Sequence, residues 1–271
     1  MRFNLPVLVY QEKNCVHNHA DEIAQMGKNA LIVTGRNSSK KNGSLDDVIN
    51  ALKSKNIKYT VYDGVEENPS VETVMEAREI GVKAGCDFII GIGGGSPMDA
   101  AKAIGVMIYH KNENKDFLYK SVSNSQSLPV IEVPTTCGTG SEVTTVAVLT
   151  VHNEKTKKSM SHRIFPRMAL VDEKYIKNAP LKVICDTAID ALAHIVESCI
   201  NNNATEYSKM FAKEGLEAWS KFKDVLLGNR EATDEDFHNM MYASTLAGMC
   251  IAHAGTSLPH GLSYPITYEL G

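Results

Sequence analysis

The sequence predicts an α/β fold: an amino-terminal parallel sheet covered by helices, followed by an all-helical segment. Three observations predict it. Over the first 180 residues, short β-type runs alternate with helical patterns, as in a parallel sheet with helices on both faces. Two turns rich in glycine and threonine, "GIGGGSPMDAAK" (91–102) and "PTTCGTGSEVT" (134–144), each follow a strand-like run. After Pro180 the strand signals stop and three long helical patterns take over.

The elements follow in order. "ALIVT" (30–34) reads as a buried strand, with a helix near 44–55 after it. "IKYTVYD" (57–63) is the next strand, then a helix near 70–84. "DFIIGIGGGS" (87–96) is a strand ending in glycines, and "PMDAAKAIGVMI" continues as a helix. "PVIEVP" (129–134), "EVTTVAVLTV" (142–151) and "MALVD" (168–172) complete the strands, and helices follow near 181–201, 205–227 and 234–253. The boundary falls near 175–180, giving an α/β domain over 1–178 and a helical domain over 179–271.

Composition narrows the function. Hydrophobic content of 43% and charged content of 22% are ordinary for a globular chain of 271 residues. A net charge of −4 argues against a nucleic-acid partner. The apolar run in "MRFNLPVLVYQEK" is too short for a signal peptide, and no run is long enough to span a membrane. The six cysteines lack CxxC spacing and read as reduced thiols of a cytoplasmic protein.

The first glycine turn runs from a strand into a helix, with Pro97 in the first turn, where proline is tolerated. Glycines let a backbone approach a pyrophosphate, and the free N–H groups of the helix start favour an anion. A tight turn with no ligand has the same appearance. The second turn adds hydroxyls at the carboxyl end of an adjacent strand, where ligands of open α/β sheets bind.

The stretch "DTAIDALAHIVES" (186–198), read as a helix, stacks Asp186, Asp190 and His194 on one face. Ile189, Leu192, Ile195 and Val196 on the same turns make the helix at least half buried. A solvated acidic stripe, a buried histidine with a satisfied bond, and a pair of metal ligands all fit this spacing.

Four stretches together resemble the iron-containing alcohol dehydrogenases, whose superfamily also holds glycerol dehydrogenase and dehydroquinate synthase. They are "GGGSPMDAAK" (93–102), "PTTCGTGSEVT" (134–144), "DALAH" (190–194) and "LPHGLSYP" (258–265), in the family's order and over nearly the whole chain. The resemblance implies an amino-terminal dinucleotide-binding domain, a carboxy-terminal helical metal domain, and an active site in the cleft between them. It implies hydride transfer between a nicotinamide and a primary alcohol or aldehyde whose oxygen a bound metal polarises. It makes Asp190, His194 and His260 metal ligands, for Fe²⁺ with Zn²⁺ as the alternative. His194 is then expected to matter for metal rather than for folding. Asp186 reads as a first-turn carboxylate favoured by the helix dipole, and Glu197 as a solvated or supporting group.

For the cofactor, the resemblance assigns Gly94, Gly95 and Ser96 to the pyrophosphate, with Asp99 in the same fingerprint. Thr135, Thr136 and Thr139 line the ribose or nicotinamide side, and Lys158 matches a lysine close to the cofactor. NAD-linked members often carry aspartate where this chain has Gly35. In "GRNSSKK" (35–41) no carboxylate repels a 2′-phosphate, while Arg36, Ser38, Ser39, Lys40 and Lys41 are placed to meet one. NADP(H) is therefore expected rather than NAD(H). Tyr264 stands where many members carry a second histidine with a proton-relay role, and is the catalytic candidate. A phenol ordinarily titrates near pH 10.

The family's remaining histidine ligand falls after the position of Gly271. The expectation is an incomplete metal site and helical domain, weak metal retention and poor aldehyde reduction; retained metal with good turnover would instead make the absent histidine dispensable or replaced, with His253 the candidate. A non-catalytic nucleotide-binding relative and a sister activity such as glycerol dehydrogenase stay open, although "DALAH" with "PTTCGTGSE" fits the alcohol dehydrogenase branch better. A homodimer is the assembly the resemblance allows.

Overall fold

The computed structural model describes residues 3–270. Its sheet is built from strands β1 (Leu8–Gln11), β2 (Asn29–Gly35), β3 (Lys58–Val65), β4 (Phe88–Gly93), β5 (Val130–Pro134) and β8 (Met168–Val171), in the order β1-β8-β5-β4-β2-β3. Every pairing in it is parallel. Ile90 of β4 lies opposite Ile32 of β2 and Ile131 of β5, and all three are fully buried. Continuous apolar runs of this kind belong to strands covered on both faces.

The covering helices are α1 (Cys15–Asn18), α2 (Ala20–Ala24), α3 (Ser38–Lys41), α4 (Ser44–Ser54), α5 (Val71–Ala84) and α6 (Gly95–Tyr109). One apolar cluster joins α5 and α6 to the sheet through Val74, Ala77, Ile104 and Leu31. Another joins α1, α2 and α4 to the opposite face through Val16, Ile23, Val48 and Ile90. The helical part holds α7 (Leu181–Ile200), α8 (Glu206–Leu226), α9 (Asp234–Ala254) and α10 (Leu258–Leu270). Among the described residues no helix is long and apolar enough to cross a membrane.

Several sequence expectations are corrected. The run 142–151 is not one strand of the sheet. Ser141–Val143 forms a 3₁₀ turn after Gly140, and only Val148–Val151 is extended. That strand, β6, pairs antiparallel with β7 (Thr156–Ser159) in a separate ribbon. The reason is local: Gly140 takes a left-handed φ of 57°, and Thr144 N donates back to the Ser141 carbonyl, so the β-branched residues there turn rather than extend. The strand expected over 87–96 stops at Gly93, and α6 begins at Gly95. Gly93 has a φ of 150°, and a Cβ there would lie 2.6 Å from Pro97 Cγ, so glycine is required at this strand-to-helix turn. The edge strand β1 and helix α10 have no counterpart in the sequence reading. On α7, Ile189 and Val196 are exposed, and the buried face runs through Ala188, Ala191, His194 and Ile195. Small residues there let α8 and α9 approach: a Cβ on Gly215 of α8 would lie 3.0 Å from Ile195 Cδ1.

The second glycine turn is fastened to the helical part by close backbone contact. A Cβ on Gly140 would lie 2.5 Å from Gly248 Cα in α9, and one on Gly138 would lie 2.7 Å from the Thr187 carbonyl oxygen in α7. Beside this joint lies a buried polar cluster. Lys102 is fully buried and donates to Ser141 O (2.7 Å), Ser141 Oγ (2.7 Å) and Val146 O (2.8 Å). Asp99 and Glu132 carboxylates lie 3.7 and 4.0 Å from its ammonium. Glu142 accepts from Thr245 Oγ1 of α9 at 2.9 Å. Neither oxygen of Glu132 has a hydrogen-bond partner among the described residues. Burial pushes its carboxyl well above the usual range, against the pull of Lys102.

Two predictions follow from this packing. Gly248→Ala places a methyl 2.3 Å from the Gly140 carbonyl oxygen; overpacking there should lower stability by about 1–3 kcal/mol, read as a drop in the urea midpoint. Glu132 binds a proton more tightly folded than unfolded. Its contribution is therefore complete below its ordinary value near 4.5 and is lost as pH rises above it. Gln at this position has no such proton. The melting temperature of Glu132→Gln should gain on wild type as pH is raised from about 5 to 8. A variant that instead falls behind would show an ionised Glu132 paired with Lys102.

Candidate metal centre and the adjoining clefts

Asp190 and His194 lie one turn apart on α7, and His260 lies in the first turn of α10. Their donor atoms lie within 4.8 Å of one another. Asp190 Oδ1 is 3.8 Å from His194 Nε2 and 3.5 Å from His260 Nε2, and the two imidazoles stack with centroids 4.5 Å apart. Each ring is held from behind. His194 Nδ1 lies 3.3 Å from the Gly138 carbonyl, and His260 Nδ1 lies 2.5 Å from Glu197 Oε1. Both acceptors favour a proton on Nδ1, so each ring in its neutral form has an Nε2 lone pair free for a metal on the side of Asp190. One carboxylate oxygen and two imidazole nitrogens converging in this way fit a divalent transition metal.

The charges fit as well. Burial opposes ionisation of Asp190, yet the His260 bond and both imidazoles hold its carboxyl below the usual range. Burial pushes His194 down. The bond to Asp190 pushes His260 up, with Glu197 adding to it.

The donors line a cleft of about 380 Å³, with Asp99, Thr139, Ser141, Lys157 and Tyr264 on its other walls. A second cleft, of about 400 Å³, lies at the carboxyl ends of β2, β4 and β5, lined by Asn37, Ser38, Lys41, Gly94, Thr135 and Thr136. The start of α6 stands between them. A Cβ on Gly94 would lie 3.1 Å from Thr136, and one on Gly95 would lie 2.8 Å from Thr139 Cγ2. Side chains at 94 and 95 would collide with these two threonines, which line the second cleft and the metal cleft respectively.

Most of the residues singled out in the sequence come together around this cradle. Ser96 accepts from Asn68 N at 3.1 Å. Asp99 faces the metal cleft but is also an internal anchor, accepting from Ser141 Oγ (2.6 Å) and Val148 N (2.8 Å). Gly35 ends β2, and Arg36 and Ser38 are exposed beside the second cleft's loop. Ser39 is turned inward and bonded to Thr34, so it faces no ligand. The expectation that no carboxylate stands near this loop is corrected too: Asp63, from the end of β3, pairs with Lys40 at 2.5 Å. Strand pairing brings it there from outside the local sequence.

Lys158 is not in the cleft. It pairs with Glu154 at 3.2 Å and lies over the Tyr119 ring. Its neighbour Lys157 faces inward, donating to Asn68 Oδ1 at 2.9 Å and lying 5.6 Å from the Tyr264 ring centre. Successive strand residues point to opposite faces, so an offset of one residue selects the wrong lysine. His253 is also elsewhere: it bonds to Met249 O, accepts from Asn4 N and stacks on Phe3. Burial raises the Tyr264 phenol further above its ordinary value, so it stays a neutral hydrogen-bonding group near pH 7. Asp186 is exposed and paired with Lys182 at 2.7 Å. Glu197 is buried and bonded, not solvated. Of the two sequence readings of Glu197, these bonds fit the supporting one, whereas Lys157 was missed as a site residue.

Residues 6–173 match the family model described as iron-containing alcohol dehydrogenase, and 184–271 match that of the family's C-terminal part. The chain is 32% identical over 241 residues to a long-chain primary alcohol dehydrogenase of Thermoanaerobacter ethanolicus, covering 88% of this chain and 60% of that protein. It is 32% identical over 271 residues to an NADPH-dependent butanol dehydrogenase of Clostridium saccharobutylicum, covering 97% and 68%. A solved iron-containing alcohol dehydrogenase of Thermotoga maritima superposes with a TM-score of 0.93 at 40% identity, covering 99% of this chain and 73% of that one.

His194 carries a structural bond as well as a donor atom, which amends the expectation that it matters for metal alone. His194→Asn retains a donor for the Gly138 carbonyl and removes Nε2. It should leave the metal-free melting curve nearly unchanged and weaken Co²⁺ binding by more than about tenfold. His194→Ala should in addition cost about 1–3 kcal/mol of metal-free stability. Intact Co²⁺ affinity in both variants would make the histidine structural only.

Proposed function

The chain belongs to the iron-containing alcohol dehydrogenase family, and on that premise we propose that it transfers a hydride between NADP(H) and a primary alcohol or aldehyde. The observation that carries this reading is a pair of clefts flanking the start of α6, one with convergent metal donors and the other lined by Gly94, Thr135 and Thr136. Asp190, His194 and His260 would hold Fe²⁺, or Zn²⁺, which when bound supplies a Lewis acid for the substrate oxygen.

The remaining work falls to the chain's own groups. The N–H groups at the start of α6 face a pyrophosphate with the positive end of the helix dipole. Thr136 and Thr139 flank it through their contacts with Gly94 and Gly95. Lys157 stands between the metal cleft and a smaller one lined by Glu66, Asn68 and Tyr268, placed to hold a ribose or phosphate oxygen. Burial lowers the pKa of its ammonium. Tyr264 offers a hydroxyl in the metal cleft, positioning substrate rather than exchanging protons near neutrality.

The choice of NADP(H) rests on the loop after β2. Position 35 has no side chain to reject a 2′-phosphate, Lys41 and Ser38 line the cleft, and Arg36 lies exposed beside them. Asp63 already engages Lys40, so Lys41 and Arg36 are the cations left for the phosphate. The 32%-identical butanol dehydrogenase is named NADPH-dependent, which agrees with this choice.

NADPH should bind more tightly than NADH when both are titrated by nicotinamide fluorescence, and Gly35→Asp should move the preference towards NADH. Lys157→Met should weaken dinucleotide binding by about tenfold or more, whereas Lys158→Ala should stay within about twofold. Equal effects at the two lysines would reject the assignment of Lys157.

A further inference from the structure

Helix α10 carries one of the three metal donors, yet none of its side chains is fully buried. Leu258, Leu262 and Ile266 along it are all more than half exposed. Apolar packing therefore does not fix where His260 points. The polar contacts at its first turn converge on one residue. Glu197 of α7 is 4% exposed, and its Oε1 accepts from His260 Nδ1 at 2.5 Å. Its other oxygen accepts from Ser257 N (2.6 Å) and Ser257 Oγ (2.8 Å), immediately before α10 begins. Both carboxylate oxygens are thus spent on the segment that delivers His260.

We propose that Glu197 is the positioning residue of the metal centre, holding His260 by Nδ1 and the start of α10 by Ser257 so that Nε2 faces Asp190 and His194. The inference rests on the metal reading given above and deepens it. Glu197 lies three residues after His194 and seven after Asp190 on α7, so all three share one helical face. Two of them offer donor atoms to the metal, and the third holds the donor that arrives from another helix. A carboxylate on the far nitrogen also fixes the tautomer and strengthens the imidazole as a ligand. His194 has only a backbone carbonyl in the equivalent place, so the two histidines are supported unequally.

The test is a double-mutant cycle read as Co²⁺ dissociation constants by calorimetry, with the Co²⁺ visible spectrum as a second readout. Glu197→Ala should weaken binding about 10–100-fold and change the spectrum to that of a site with fewer nitrogen ligands. Glu197→Gln, which keeps an acceptor, should recover part of the loss. In a His260→Ala background, Glu197→Ala should add less than about twofold, because its effect passes through His260. An equal loss in both backgrounds, or wild-type affinity in Glu197→Ala, overturns the assignment of Glu197 while leaving the metal site standing. Failure of the wild-type chain itself to take up Co²⁺ overturns the metal reading and the positioning role with it.

Discussion

The close approach of Gly140 to Gly248 is the constraint on which the rest of the site depends. It lets the turn after β5 lie directly on α9, with no side chain between the two backbones. From that seat the same turn reaches α7, where Gly138 meets Thr187 and its carbonyl receives His194 Nδ1. A segment that begins at the carboxyl end of a sheet strand therefore sets the orientation of a metal donor in the helical part. The turn after β5 is thereby held against α7 and α9 by backbone contact, with no intervening side chain to give way.

Two polar groupings meet at this joint, and they differ in kind. The cluster of Lys102 with Asp99, Glu132 and Glu142 is closed: its lysine is wholly enclosed, and Asp99 and Ser141 separate it from the cleft. The grouping of Asp190, His194 and His260 is open, with its donor atoms turned into a cleft. Asp99 belongs to both, bonded to Ser141 on the inner side and facing the cleft on the other. A carboxylate in that position makes the cleft wall and the buried cluster a single electrostatic unit.

Much of this was legible in the sequence, for identifiable reasons. β2 and β4 are largely apolar runs, as a strand buried on both faces requires, and β5 is one interrupted only by the buried Glu132. α8 and α9 were read from their helical spacing; their threonine caps, Thr205 with Ser208 and Thr233 with Asp236, are signals the sequence reading did not use. What was not legible depends on tertiary contact. β1 is a four-residue edge strand with too little pattern to announce itself. The run 142–151 has every β-type residue it needs and still turns, because Gly140 and the seat on α9 decide its path. The exposure of Ile189 and Val196 reflects which face of α7 its neighbours can reach, a fact about packing that amphipathic spacing alone does not contain. Asp63 reaches Lys40 only because β3 lies beside β2.

The ribbon of β6 and β7 has a consequence for how this fold can vary. Its register sets Lys157 opposite Thr150 and Lys158 opposite Leu149, and because strand side chains alternate, a slip of one residue exchanges the lysine that looks inward for the one that looks out. The connection that fixes this register, His152–Lys155, closes through Lys155 in a left-handed conformation with a φ of 49°. Single-residue insertions or deletions there would be harmless to the sheet, which the ribbon does not join. They would nonetheless rewire the cleft wall, so a surface turn usually regarded as freely variable carries a length restriction imposed from a distance.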